Sequence, residues 1–263
     1  MKEIIIDVTN RCFLTCTLCG TNASVDGEKH LSFEKIKKIL NYAKDYTVYL
    51  GGGCFFCHPD FRTILEYIKQ QKGTRIVVDV PMCSETYECI CEYPMNKYNY
   101  TISVSLWGIG AVHDRLSNSD GYKRLYDFQE IMYRYQGHAS YSFVLSNLIL
   151  SQQYEMKQFI SQLKDDDTVY FHRLMPTGRC TKNELPNEQD LICFMNTVKS
   201  HHTLFHHTLI SKECTAYTDR LFIDWNGNVF GCGWVGDNKS IGNIDDIELS
   251  DIQCKKKYIC PLL

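Results

Sequence analysis

Short apolar runs and amphipathic stretches alternate along this chain from its first residues. Glu3 to Val8 is a β-branched run of the kind that forms a short buried strand. Ser32 to Ala43 then places apolar residues at helical spacing behind Ser32, a residue suited to an N-cap. Tyr46 to Leu50 reads as the next strand, which completes a strand-helix-strand unit. The pattern continues with a helix over about 59 to 72, a strand Arg75 to Val80, a helix near 84 to 96 and a strand Tyr100 to Leu106. A helix over about 121 to 136, a strand Ser140 to Leu145, a helix over about 152 to 164 and a strand Thr168 to Arg173 follow. Six strands alternating with helices predict a parallel sheet with helices outside it. Right-handed crossovers curl such units into an open (β/α)6 barrel, and a flatter doubly wound sheet fits the same pattern.

The pattern changes after about residue 180. A polar linker containing Pro186 leads to a helix near 187 to 200. Beyond it, the stretch from Cys214 to Cys232 reads as strand, Asn226-Gly227 turn and strand, a small separate module. The predicted organisation is a barrel over 1–180, a helical linker over 181–212 and a C-terminal hairpin-plus-helix unit over 213–263.

Composition narrows the function classes. With 44% hydrophobic residues in 263, the chain fills a sizeable core. A net charge of -3 offers no basic footprint for nucleic acid or an anionic membrane. No stretch approaches the roughly 18 apolar residues of a membrane span, and the N-terminus lacks the features of a secretory signal. The expected location is the cytoplasm, where disulfides are rare, so fourteen cysteines point to metal.

Those cysteines are patterned. Cys12-x3-Cys16-x2-Cys19 sits just past the first strand, where α/β proteins place ligands. Thiolates favour iron-sulfur clusters, zinc or copper(I), and closed zinc sites take four protein ligands. Three ligands on a four-iron cluster leave one iron open to an exogenous ligand. The competing reading is a structural zinc with a distant fourth cysteine. A second set, Cys214, Cys232, Cys254 and Cys260, flanks the hairpin and has the right number for a closed site, either zinc or a fully ligated cluster. The glycine run Gly51-Gly52-Gly53 ends the second strand and lets backbone approach a ligand. Asp and Glu are scattered, with no pair standing out as a general acid and base. His201, His202, His206 and His207 read as a solvated or partly packed segment.

The strand followed by Cys12-x3-Cys16-x2-Cys19, with Leu18 before the last cysteine, resembles the signature loop of the radical SAM enzymes. Gly52-Gly53-Cys54 with His58-Pro59-Asp60-Phe61 resembles that family's Gly-Gly-Glu stretch, with Cys54 where an acidic residue is expected. The resemblance implies a six-stranded partial barrel and a [4Fe-4S] cluster on Cys12, Cys16 and Cys19, with S-adenosylmethionine on the open iron. It further implies cofactor contacts from Leu18, Gly52, Gly53, Cys54, Ser103, Ser105, Asn147, Leu174 and Met175. Pro176-Thr177-Gly178-Arg179 resembles the turn of members that carry a C-terminal cluster domain. The hairpin cysteines resemble the shortened auxiliary-cluster domain called twitch, relative of SPASM, which implies a second [4Fe-4S] cluster on Cys214, Cys232, Cys254 and Cys260.

By the same resemblance the activity is radical SAM chemistry: reductive cleavage of S-adenosylmethionine to a 5′-deoxyadenosyl radical, which removes a hydrogen atom from substrate. The expected substrate is a ribosomally made peptide, modified oxidatively by cross-linking or epimerisation. A small-molecule dehydrogenase acting on an amino sugar or cyclitol is the alternative, and a non-catalytic cluster or zinc protein is the alternative of another class. A reductant such as flavodoxin or ferredoxin is an expected partner. Because the barrel starts at residue 3, a separate leader-peptide-binding protein is expected as well.

Overall fold

The computed structural model describes residues 2–210, 213–214, 216, 220–233, 240–249, 252 and 258–259. Six strands follow one another in chain order across one parallel sheet: β1 (Glu3–Thr9), β2 (Thr47–Gly52), β3 (Arg75–Pro81), β4 (Thr101–Leu106), β5 (Ser140–Leu145) and β6 (Thr168–Arg173). A further parallel strand, β7 (Thr203–Phe205), extends the sheet beside β6. β8 (Glu213–Cys214) pairs separately with β12 (Tyr258–Ile259). The C-terminal hairpin is β9 (Arg220–Ile223) and β10 (Asn228–Phe230), with β11 (Gly242–Asn243) beyond it.

Alternation within each strand sorts its side chains. Ile4, Ile6 and Val8 of β1 are fully buried under the helices, as are Val78 and Val80 of β3. The intervening residues, among them Ile5, Asp7 and Asp79, line the inside. The helices are α1 (Phe33–Tyr42), α2 (Phe61–Ile68), α3 (Ser84–Glu92), α4 (Met95–Tyr98), α5 (Ala111–Ser117), α6 (Leu125–Gln136), α7 (Asn147–Leu150), α8 (Gln153–Ser161), α9 (Glu188–Val198) and α10 (His207–Ile210). α1 buries Ile36, Ile39 and Leu40, three positions of one helical stripe. Ser32 occupies its N-cap in extended conformation, but its side chain makes no capping bond. The helix expected over 84 to 96 is two, because Pro94 pushes Tyr93 out of the helical region and starts a new turn.

The hairpin is not set apart from the barrel. β9 pairs in parallel with β1, Glu3 opposite Arg220 and Ile6 opposite Ile223. The Arg220 guanidinium donates to Glu3 Oε2 from Nε at 3.0 Å and Nη2 at 2.6 Å. Its Nη1 meets His206 Nε2, just past β7. One side chain therefore touches both flanks of the sheet, which curls into a partial barrel. The histidine segment is packed rather than solvated where it enters this closure. His202 and His206 are buried, with His202 Nδ1 on the Asp167 carbonyl and His206 Nδ1 on Thr208 Oγ1. Among the described residues, no helix is long and apolar enough to cross a membrane.

Candidate active site

At the C-terminal ends of the strands lies a cavity of about 250 Å³. The loop after β1 delivers Cys12, Cys16 and Cys19 to it. Cys12 is held where its backbone N–H donates to the Ser24 carbonyl at 2.9 Å, and Cys19 where its N–H turns back on the Cys16 carbonyl. Burial pushes the Cys12 thiol far above its ordinary range and the Cys16 thiol up to about 11. Iron has to displace those protons to load, so loading releases protons. Among the described residues, no three Cys, His, Asp or Glu side chains converge on the one point a single metal ion needs. The three thiols line one cavity, and three cysteines of one loop are a ligand set suited to an iron-sulfur cluster.

The glycine run forms the cavity's next wall. The Gly53 N–H donates to the Thr9 carbonyl at 2.6 Å, and a Cβ at Gly53 would lie 2.0 Å from the Arg11 carbonyl oxygen. Only glycine lets β2 come this close to the cysteine loop. Thr21 ties the two together, donating to the Gly52 carbonyl at 2.6 Å while Cys19 Sγ lies 3.4 Å from the same hydroxyl.

The turn after β6 completes the frame. Gly178, at φ +61°, passes so near the cysteine loop that a Cβ would sit 2.3 Å from the Cys19 carbonyl oxygen. Arg179 then donates to the carbonyls of Cys16 (2.7 Å) and Ala23 (2.8 Å) and to Asn22 Oδ1 (3.0 Å).

Of the expected cofactor contacts, Leu18, Gly52, Gly53, Ser105, Leu174 and Met175 line the cavity together with the three cysteines. Leu18 and Leu174 pack with Leu116 and Cys180 as its apolar side. Three others stand elsewhere. Cys54 is fully buried at the start of a 3-10 turn, its Sγ 3.9 Å from Thr86 Oγ1. Ser103 is buried one rung deeper than Ser105, beside Asp79. Asn147 is exposed at the start of α7, because β5 ends at Leu145; Ser142 and Val144 are the β5 residues at the cavity.

The cavity also holds groups that the sequence pattern did not single out. Asp7 and Asp79 face it from β1 and β3, and His172 from β6. Burial, with Asp224 nearby, raises the Asp7 carboxyl to about 8, and burial alone raises Asp79 to about 7. Burial and the Arg220 charge lower His172 to about 4, so its imidazole is neutral. Their one signal was a carboxylate at an alternating position of an otherwise apolar strand.

Residues 214–262 match the SPASM family, an iron-sulfur cluster-binding domain. Over 99% of its length the chain superimposes on Streptococcus suis SuiB bound to S-adenosylmethionine, at TM-score 0.72 and 16% identity. SuiB bound to its precursor peptide SuiA gives TM-score 0.73 at 16% identity over 95% of this chain. The chain has the radical SAM fold with a SPASM domain.

It spans 66% and 64% of those two SuiB chains. A third radical SAM structure, anSMEcpe with bound AdoMet and Cp18Cys peptide, matches at TM-score 0.67 and 14% identity, over 95% of this chain and 79% of that one. No curated protein matches. The SPASM match encloses Cys214, Cys232, Cys254 and Cys260. Cys232 is half-buried just past β10. Cys254, Cys260 and the side chain of Cys214 lie outside the described residues.

Proposed function

We propose that this chain is a radical SAM enzyme that modifies a peptide, by oxidative cross-linking or by redox-neutral epimerisation. The observation that carries the reading is one cavity lined by three thiols of a single loop and by the Gly52-Gly53 edge, with the barrel interior open beneath them. The donor set fits a [4Fe-4S] cluster: three soft ligands, no fourth cysteine lining the cavity among the described residues, and a backbone edge bare of side chains where a small polar ligand can lie. Cys12, Cys16 and Cys19 would hold that cluster. When bound, it supplies the electron that splits S-adenosylmethionine into methionine and a 5′-deoxyadenosyl radical.

The protein's part is position and exclusion of water. Gly52 and Gly53 offer backbone to the methionine end. Leu174 and Met175, both buried, offer an apolar bed to the adenine. Ser105 stands between these ends on β4. Cys54 is fully buried with its Sγ near Thr86 and is not part of the cavity lining, so its thiol does not stand in for the missing acidic residue. Cys214, Cys232, Cys254 and Cys260 would hold a second cluster, which would supply an electron acceptor for a product that is oxidised overall. A peptide substrate is supported by the fold shared with SuiB and anSMEcpe, both of which are seen with bound peptides.

The test is anaerobic reconstitution with iron and sulfide, then dithionite and S-adenosylmethionine. The wild type releases 5′-deoxyadenosine, and Ala at Cys12, Cys16 or Cys19 abolishes it. Cys232→Ala lowers iron content and leaves uncoupled cleavage. A wild type that binds iron yet yields no 5′-deoxyadenosine sinks the reading.

A further inference from the structure

Asp7, Gly51 and Asp79 stand side by side on three neighbouring strands. Asp7 pairs with Gly51, and the pairing of Leu50 with Val78 sets Gly51 beside Asp79. All three line the cavity. A Cβ built at Gly51 would meet only Asp79, with Oδ2 3.8 Å and Cβ 3.9 Å away, so the rung between the carboxyls is open. Strands spaced about 4.8 Å apart set the two carboxyl-bearing backbones about 10 Å from each other, with room for one small group between.

Neither carboxyl accepts a hydrogen bond among the described residues, although Asp7 is only 6% exposed. A charge that acts on Asp7 is another carboxylate, Asp224, itself occupied by the N–H groups of Asn226 and Asn228. Among the described residues, no lysine lines the cavity. The one arginine that does, Arg173, is committed to Glu188 and the Thr208 carbonyl, and Arg220 is committed to Glu3. His172 is neutral. Buried carboxyls without a partner are costly, and a ligand that brings the missing positive charge and hydrogen-bond donors removes that cost.

A separate observation also points to a polar ligand. His113 is 1% exposed and lines the same cavity. Its Nδ1 accepts the Trp107 N–H at 3.1 Å, which leaves the hydrogen on Nε2, and Nε2 is buried without a partner among the described residues. The cavity thus offers two acceptors on one wall and one unused donor on another. That is a site for a ligand carrying an amine at one end and an acceptor at the other.

We infer that the Asp7–Gly51–Asp79 row is the seat of a primary ammonium group, its N–H donors shared between the two carboxylates across the open glycine rung. This deepens the proposed function and rests on it only for which ligand supplies the ammonium, the substrate or the methionine end of S-adenosylmethionine.

Calorimetric titration of the full chain, reconstituted anaerobically and also iron-free, tests the seat with n-butylammonium chloride and its neutral counterpart n-butanol. The ammonium is expected to bind at least tenfold more tightly than the alcohol. Asp79→Asn is expected to weaken it at least tenfold, and Gly51→Ala, which fills the rung without removing a charge or straining the backbone, at least fivefold. Equal binding of the alcohol, no binding by the wild type, or unchanged affinity in Gly51→Ala overturns the inference, and the last holds even where Asp79→Asn does not fold. Repeating the titration with saturating S-adenosylmethionine separates the sources: retained binding assigns the seat to substrate, and lost binding assigns it to the cofactor's amino group. Because binding is read without turnover, a chain that seats the ammonium yet never cleaves S-adenosylmethionine refutes the proposed activity and leaves this inference standing.

Discussion

Arg179 Nε donates to the carbonyl of Cys16 at 2.7 Å, across 163 residues of chain. The bond joins the last barrel strand's turn to the loop after the first, and two further donors of the same guanidinium hold Asn22 and Ala23. The cysteine loop has no strand pairing of its own over 13–19, so its shape depends on such clamps. Arg179→Ala leaves three acceptors to solvent or to nothing, and hydrogen bonds from a charged donor contribute about 1.5–3 kcal/mol each without being additive. The expected result is a loss of about 2–4 kcal/mol in chemical denaturation together with reduced iron uptake on reconstitution. Arg179→Lys recovers little of either, because an ammonium cannot reproduce the fork.

Gly53 and Gly51 differ by two residues and should respond oppositely to the same methyl. At Gly53 the added Cβ would lie 2.0 Å from the Arg11 carbonyl oxygen and 2.7 Å from its carbon, so backbone must move. At Gly51 it meets Asp79 at ordinary contact distance. Gly53→Ala is expected to cost about 1–3 kcal/mol or more as an overpacked site and to displace the cysteine loop, lowering iron content. Gly51→Ala is expected to unfold within about 1 kcal/mol of wild type and to load iron normally. Thermal melts and iron assays on the pair check both halves.

Much of this frame was legible in the amino-acid pattern. β5 and β6 fall on the expected residues because their apolar-polar alternation is clean and their ends are marked by turn residues. α5 was hidden by Gly108 and Gly110 before it, which break the local periodicity, and β7 by a histidine-rich segment that carries no strand signal. The cavity's thiols were plain from spacing alone. The Asp7 and Asp79 pairing was not, because it depends on strand register, which joins residues 72 positions apart without any local trace. The same holds for β9 on β1, where strand pairing sets Arg220 opposite Glu3 across 217 residues of chain.

That Arg220–Glu3 pair is partly buried, with side chains 11% and 18% exposed. Removing one partner leaves an uncompensated charge, which costs about 3–5 kcal/mol, whereas replacing both by apolar residues of similar volume is often neutral. Arg220→Met is therefore expected to be strongly destabilising, Glu3→Leu likewise, and the double variant close to wild type. Denaturation midpoints of the four proteins form the cycle. Additive losses in the double variant would show that Arg220 acts through His206 rather than through Glu3.

Asp7 makes stability depend on pH with a sign opposite to that of a salt-bridged carboxylate. Its carboxyl is raised to about 8 in the folded chain by burial and by Asp224, against 3.8 when exposed. Between those values the folded state keeps a proton that the unfolded state has released, so stability falls as pH rises. The contribution is fully present below about pH 4 and is lost progressively up to pH 8, at no more than about 1.4 kcal/mol per pH unit. Asp7→Asn removes the titrating group while keeping its shape. In apo protein the variant is expected to match the wild type near pH 4 and to exceed it by about 2–4 kcal/mol at pH 8. His172, lowered to about 4, runs the other way: its neutral form is the folded one, and its contribution is lost as pH falls below about 6.5. It steepens the acid limb in both proteins and leaves their difference untouched. Urea titrations of wild type and Asp7→Asn at pH 5, 6, 7 and 8 measure that difference directly, and a gap that does not widen with pH would mean that Asp7 is ionised in the folded chain.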